Sequence, residues 1–593
     1  MPSKHLLFHN GLIFTAPAAE LSAASLQPAL HRYSDASAAA SSSSSLPGRF
    51  AEALLVRDEA ILAVGTLDEC RAAAAGNDIR HTDLQGKLLL PSFIDGHTHV
   101  TLFGQSMQKL DLAPCTDLAS IQAKLLAYRN ANPNLDRILA KGWLQKTTHN
   151  VALSSMIDDV VSDIPVYIES KDLHSHWLNQ SALAELGIRH DTPNPPGGTI
   201  QRDPTTRAAN GLMSELANIN IVWPALASLR SDAETESDFQ LAVDAYLASG
   251  YTGVVEMALD ESALACFLRV RDRAGGRLPL RIAAHYIIRP GPPEAVMKQV
   301  ERAIELFHLH GGKEAGRDVG DLRVVGIKIM CDGVIDACTA ALKEPYADGS
   351  RAGPIWTYEM LHPVLHRADS EGLQLALHAI GDEAVHIAVE AIASLPNEAS
   401  NPIASRRHRI EHLELTDPVD IEKLGRLGIT ASVQPVHSDP AILSGWYAQL
   451  SSRPHEHDER CSRAFAYRHF IECGAPLAIG SDTPTASHLI FPNLYNAVTR
   501  RSTRPLERGQ GLRTTPEQAI PLATALAAAT YGAARSCKAE DATGSLERGK
   551  SADFVVVDSD LFASYGDDGG EGLMKAKILQ TWFRGRVVFE LPN

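Results

Sequence analysis

Four His-x-His pairs stand out in the 593-residue chain: His97/His99, His174/His176, His308/His310 and His455/His457. Two imidazoles are a natural ligand pair for a borderline divalent ion such as zinc, provided that both rings can reach one point. Secondary structure decides whether they can. On a strand, residues i and i+2 share a face, whereas on a helix they diverge by about 200°. His308/His310 closes the helical pattern AIELFHLHGG and reads as capping and surface residues. His455/His457 lies in the polar stretch RPHEHDER and reads as surface loop. His97/His99 directly follows the apolar run LLLPSFIDG, which places both imidazoles at the C-terminal end of a strand.

A single pair of that kind is weak evidence, but the arrangement recurs. His378 closes the run LQLALH, His412 closes RIEH, and Asp482 closes PLAIGSD. Each is a metal-capable residue at the C-terminal end of an apolar run, and the aspartate adds both a hard oxygen ligand and a base. Gly381 and Gly480 beside them let backbone pass close to a ligand. Lys328 stands inside the apolar strand VVGIKIM, where a buried ammonium is costly unless paired. Two readings of it are open: the amine reaches the strand's rim or meets Asp332 or Asp336, or a depressed pKa lets it take up carbon dioxide as a carbamate bridging two ions.

The elements that must hold these residues show as alternating patterns. Strand candidates in the central region are Leu88–Ile94, Val166–Glu169, Thr252–Met257, Leu280–Ile287, Leu322–Met330, Leu373–Leu377, His408–His412, Thr430–Gln434 and Leu477–Ile479. Helical runs such as Glu294–Leu309, Ala384–Leu395 and Pro516–Gly532 separate several of them. Repeated β–α units with strands apolar on both faces argue an α/β fold with a parallel sheet. Eight or so such units close a (β/α)8 TIM barrel over residues 91–535. That span exceeds the ~250 residues usual for the barrel, so its loops carry inserted structure. The segment 103–240, with few clear strands, is the best candidate for an insertion or lid. Strand-like segments at both ends (Leu6–Phe14, Ala53–Val64 and Lys87–Leu90; Asp553–Val557 and Thr581–Phe589) combine residues 1–90 and 536–593 into a small β-sandwich. The Ala/Ser-rich stretch 17–49 reads as a disordered surface insertion.

Composition narrows the partners. Lys and Arg number 55 against 71 Asp and Glu, a formal charge of −16. Such a surface repels phosphate backbones and argues against nucleic acid or an anionic membrane as a partner. No run of about 18 apolar residues could span a bilayer, and the N-terminus lacks the long apolar core of a signal peptide. Eight cysteines without a CxxC pair read as buried, reduced thiols in a cytoplasmic protein. A small molecule is the expected partner, and an exposed β unit makes a homodimer plausible.

These residues resemble a known group. PSFIDGHTH at 91–99, LHSHWLNQSAL at 173–183, KIMCDGVID at 328–336, HAIGD at 378–382, RIEH at 409–412, GSDTP at 480–484 and GSLERGKSADFVVVD at 544–558 come in the order found in the amidohydrolase superfamily. The chain is most similar to its N-substituted formamide deformylase subgroup. The resemblance implies a metal-dependent hydrolase of carbon–nitrogen bonds other than peptide bonds. One ion, zinc first, would be held by His97, His99 and Asp482, with His378 and His412 on a second ion or completing the shell. Lys328 falls where many relatives carry a bridging N6-carboxylysine. Asp482 would act as base and then acid, and His176 would assist at the carbonyl. Trp143, His174, His176 and Asp332 fall on the substrate side. Cys331 and Val334 depart from the usual small or polar loop residues, which bears on substrate rather than chemistry.

Two other enzyme readings share the scaffold: a cyclic-amide hydrolase and a heterocycle deaminase. Deaminase relatives set a Glu in close register with the third His. Here Glu383, the nearest, lies five residues beyond His378. A non-catalytic scaffold would have lost ligands first, and all six positions are intact.

Overall fold

Eight parallel strands form the central sheet of the computed structural model, which describes residues 5–26, 49–171, 173–195, 197–311, 320–451, 459–504 and 508–592. In chain order they are β1 (Phe93–Thr98), β2 (Tyr251–Leu259), β3 (Arg281–Ile287), β4 (Leu322–Met330), β5 (Gln374–Ala379), β6 (Arg409–His412), β7 (Thr430–Val433) and β8 (Leu477–Ile479). Each pairs with the next in sequence, and β1 pairs with β2. Just past β8 the chain runs along β1: Asp482 N–H donates to His97 O at 2.8 Å, and His99 N–H donates to Thr483 O at 3.1 Å. The sheet is thus a nearly closed TIM barrel. Two glycines make this seam. A Cβ at Gly96 would lie 2.6 Å from Ile479 O, and one at Gly480 would lie 2.4 Å from His97 N.

Helices follow the strands, including Glu261–Arg273, Pro293–His310, Tyr358–Ser370, Asp382–Ala393 and Pro418–Leu427. His308 and His310 sit in the last turn of their helix before Gly311, where the sequence reading put them. Opposite the strands' C-terminal ends, Ala533, Ala534, Cys537 and Ala539 pack with Ile94, Val255, Met257, Ala283, Val325 and Ala376 in one buried cluster. Burying such small and branched residues seals that end by the hydrophobic effect. Pro516–Gly532, read as one helix, is broken: a turn at Pro516–Gln518 precedes the helix Leu522–Ala527, with Pro521 as its N-cap.

The run Leu88–Ile94, read as one strand, serves two sheets. Leu88–Pro91 pairs with His5–Phe14 and Phe554–Val557, and the barrel strand starts at Phe93. Between them Ser92 N–H donates to Asp553 O at 3.1 Å, and its hydroxyl lies 2.6 Å from Thr252 Oγ1. Both termini build one mixed sheet, ordered Arg586–Glu590, Ile578–Phe583, Phe554–Val557, Leu88–Pro91, His5–Phe14, Phe50–Arg57, Ala60–Gly65, with Ile79–Asp83 also on His5–Phe14. Thr581–Phe589, read as one strand, is a hairpin turned at Arg584-Gly585. Of the 17–49 stretch, Ala18–Leu21 and Ala23–Leu26 form short helical turns, and fully buried Glu20 pairs with Arg49. Residues 27–48 and His455/His457 lie outside the described residues. Six of the eight cysteines are buried, and all are free thiols.

Residues Val100–Ala242 form a compact unit of their own, separate from the one holding the barrel and the terminal sheet. Far from lacking strands, it contains a sheet of six: Leu110–Asp111, Ile138–Trp143, Val166–Ser170, Ser175–Leu178, Gly198–Arg202 and Ala209–Glu215. Val166–Ser170, read as Val166–Glu169 among the central strands, belongs here; short length and polar residues hid the other five from a reading keyed to apolar runs. Two buried clusters line it, one around Trp143, Ile168 and Trp177 and the other around Tyr167, Leu178 and Met213.

Candidate metal centre

Strand alternation fixes which way each side chain near the C-terminal ends of the barrel strands points. His97 and His99 share a face at the end of β1. His97 Nε2 and His99 Nε2 each stand 3.3 Å from Asp482 Oδ1. Three ligand atoms thereby surround one point, all within 4.8 Å of one another. Asp482 reaches that point through a left-handed backbone, φ +57°, a region sparsely used by residues other than glycine. Burial pushes its carboxyl pKa up, but His97, His99 and His412 outweigh that and hold it well below the usual carboxylate range.

A second group forms around His412. Arg409 and Glu411 take the inward positions of β6, so strict alternation would aim His412 outward. Positive φ values at His412 (+73°) and Leu413 (+53°) turn the chain instead. The His412 ring centre lies 4.9 Å from that of His97 and 4.4 Å from that of His378. Burial, followed by His378 and His97, holds the His412 pKa well below its ordinary value, so the ring is neutral. His412, His437 and Asp482 offer a second set of ligand atoms within 4.8 Å of one another.

His437 escaped the sequence reading. It lies in QPVHSD just past β7, and its signal was the same one: a metal-capable residue beyond an apolar run, with Gln434, Pro435 and Val436 intervening. Its Nε2 faces Asp482 Oδ2 at 3.7 Å, and its Nδ1 faces Glu414 Oε1 at 3.5 Å. Trp446 Nε1 donates to the other Glu414 oxygen at 3.0 Å. Burial lowers the His437 pKa, but Glu414 and Asp482 reverse this and raise it overall.

His378, next to last in β5, turns Nε2 to Gly333 O at 3.3 Å and to Asp332 Oδ1 at 3.6 Å. Asp332 is fully buried, and its oxygens accept from the amides of Ala341, Ile380 and Gly381 at 2.9–3.1 Å. Those bonds tie the loop after β4 to the end of β5. Burial pushes Asp332 up to about 7. Lys328, buried on β4, is pushed down to about 8 by burial, against Glu411 and Asp482, the carboxylates that act on it most. Behind His97, Nδ1 lies 2.7 Å from Glu411 Oε2. Burial raises the Glu411 pKa, but Arg409 and His97 hold it well below the usual range.

Two imidazole nitrogens and a carboxylate oxygen converging on one point fit a borderline divalent cation, zinc among them. No hydrogen-bond partner meets the buried Nδ1 atoms of His99 and His412 among the described residues. A third His/acid set, His386, Glu390 and Asp420, lies on two barrel helices, where Lys423 already pairs with Glu390 and Lys343 approaches Asp420.

The structure thus gathers His97, His99, His378, His412 and Asp482 at one end of the barrel, with Lys328 and Asp332 among them. Trp143, His174 and His176 belong to the other unit. Trp143 is buried in its core, 5.2 Å from Trp177 between ring centres. His174 Nδ1 lies 2.8 Å from Glu215 Oε2. His176 is buried, with Nδ1 2.7 Å from Asn218 Oδ1 and Nε2 3.8 Å from Glu169, which pairs with Lys109 at 2.9 Å. Burial pushes His176 down to about 4.

The chain is similar to known proteins along most of its length. The N-substituted formamide deformylase of Arthrobacter pascens is 24% identical over 570 residues, covering 91% of this chain and 95% of its own. The Arabidopsis thaliana protein LONG AFTER FAR-RED 3 is 27% identical over 561 residues, 92% of this chain and 90% of its own. The crystal structure of an uncharacterised metal-dependent hydrolase from Pyrococcus horikoshii OT3 superposes with a TM-score of 0.68 at 23% identity, covering 94% of this chain and 98% of its own. The sequence profile of the amidohydrolase family matches residues 80–589, from the terminal sheet through the barrel and back, and the chain belongs to that family.

Proposed function

We propose that the protein is a metal-dependent hydrolase that cleaves the carbon–nitrogen bond of a small amide, with N-substituted formamides as the first substrate class. The observation that carries this reading is the shared 3.3 Å approach of His97 Nε2 and His99 Nε2 to Asp482 Oδ1. The likeness to the formamide deformylase along almost the whole chain supports the substrate class. His97, His99 and Asp482 would hold one divalent ion, zinc first; His378, His412 and an N6-carboxylated Lys328 would hold a second. An ion there supplies Lewis acidity, lowering the pKa of water from 15.7 towards ~7 and polarising a carbonyl.

Asp482 is the base. Its carboxylate is ionised throughout the neutral range and takes the proton of the attacking water, then returns it to the departing amine. His437 Nε2, 3.7 Å from Asp482 Oδ2, would hold that proton between the two steps. The same reading keeps the enzyme in the cytoplasm, acting on small molecules.

The test pairs chelation with one substitution. Removing the metal should abolish turnover of N-benzylformamide, and one or two equivalents of zinc per chain should restore it. Asp482→Asn should lower kcat by several orders of magnitude while part of the metal stays bound. Turnover by metal-free protein would overturn the metal reading, and undiminished turnover by Asp482→Asn would overturn the base assignment.

A further inference from the structure

The guanidinium of Arg409 is fully buried at the inner end of β6 and touches several parts of the barrel at once. Its Nε donates to Glu411 Oε1 at 2.6 Å and its Nη2 to Glu411 Oε2 at 3.0 Å. Nη2 also donates to Gly96 O at 2.5 Å and to Ser432 Oγ at 2.6 Å, and Nη1 donates to Ser536 Oγ at 3.0 Å. One side chain therefore ties β6 to β1, β7 and the segment sealing the barrel's far end. A carboxylate gripped on both oxygens by a guanidinium has little freedom left. Glu411 is gripped in this way, fully buried, and Oε2 is the atom 2.7 Å from His97 Nδ1.

We propose that Arg409 and Glu411 are positioning residues for the ion-binding face of His97. Glu411 accepts the Nδ1 proton and so fixes the tautomer that leaves the Nε2 lone pair aimed at Asp482; Arg409 fixes Glu411. The inference rests on the metal-dependent reading above and deepens it. The bond from Arg409 to Gly96 O adds a second hold, on the backbone of the residue before His97. Among the described residues the other ring of the pair has no equivalent: His99 Nδ1 is 3.9 Å from Glu256 Oε1, beyond hydrogen-bond reach. His97 is thus the preset ligand and His99 the adjustable one. Partners of this outer kind typically change metal affinity by about 10–100-fold when removed.

The experiment measures the dissociation constant of Zn2+ by competition with a chromogenic chelator for the full-length wild type, Glu411→Gln and Glu256→Gln. Glu411→Gln should weaken binding about 10–100-fold, and Glu256→Gln should weaken it markedly less. Because Glu411→Gln leaves Arg409 buried without its counter-ion and can fail to fold, a second measurement uses the wild type. In the zinc-loaded, 15N-histidine-labelled protein, the His97 signal, assigned with His97→Gln, should show Nδ1 protonated and Nε2 bound. Equal affinities in a folded Glu411→Gln protein, or Nδ1 as the bound nitrogen, would overturn the proposal while leaving the metal-dependent reading intact. A wild type that binds no divalent ion would overturn both.

Discussion

On the proposed reading, His437 would relay a proton between Asp482 and Glu414. Its two nitrogens face one carboxylate each, at 3.7 and 3.5 Å, and Trp446 holds the far carboxylate in place. Replacing His437 with Asn keeps a polar group of similar reach but removes proton transfer. His437→Asn should therefore lower kcat by about 10²-fold, the lower end for general acid–base groups, with zinc content retained. A variant that keeps full kcat would exclude the path; one that loses its zinc instead would make His437 a ligand. The two outcomes separate by metal analysis of the same sample.

At the scale of the element, the barrel's seam is where small substitutions should matter most. A methyl group at Gly480 would enter within 2.4 Å of His97 N, with Cβ of His97 at 2.7 Å. Neither is the loose end of a flexible chain, so the strands must part. Gly480→Ala should cost about 1–3 kcal/mol by overpacking and should lower zinc occupancy disproportionately, because Asp482 follows two residues later. Thermal melting and metal content together check this; an unchanged melting temperature would mean the seam yields freely. The same scale explains what the sequence could and could not reveal. Runs such as Leu322–Met330 and Leu477–Ile479 match the observed strands to the residue because barrel strands are buried on both faces. His97, His378, His412 and Asp482 were legible because each ends such a run. Arg409 and Glu411 were not: inside RIEH they look like the polar break in a strand, and only the closed barrel brings them under His97. Of the six strands of Val100–Ala242 only Val166–Ser170 showed, as Val166–Glu169; the other five alternate or are too short to show a period.

For the molecule as a whole, neutral buried histidines set an acid limit. Burial pushes His176 down to about 4, His285 to about 3 and His488 to about 4, against about 6.5 in an unfolded chain. Below about pH 6.5 the unfolded chain takes up protons that the folded one refuses, so stability falls with falling pH until the folded values are reached near 3–4. Above pH 7 these groups contribute no slope. His176 belongs to the Val100–Ala242 unit and His285 to the other, so both should weaken together. Urea midpoints of the metal-free protein at pH 7.5, 6 and 5 check this: a midpoint unchanged from 7.5 to 5 would refute it. Among the described residues no helix is long and apolar enough to cross a membrane.

The switch of sheets at Ser92 has one more consequence. Leu88–Pro91 is locked into the terminal sheet and Phe93–Thr98 into the barrel, with a single residue between them. Because side chains alternate with a period of two, one extra residue after Ser92 would reverse the phase of everything downstream to the seam. Asp95, His97 and His99 would trade sides with Ile94, Gly96 and Thr98, while the terminal sheet would register no change at all. The far sheet thus acts as the origin from which the imidazoles are counted, and an insertion there is a reading-frame error written in three dimensions.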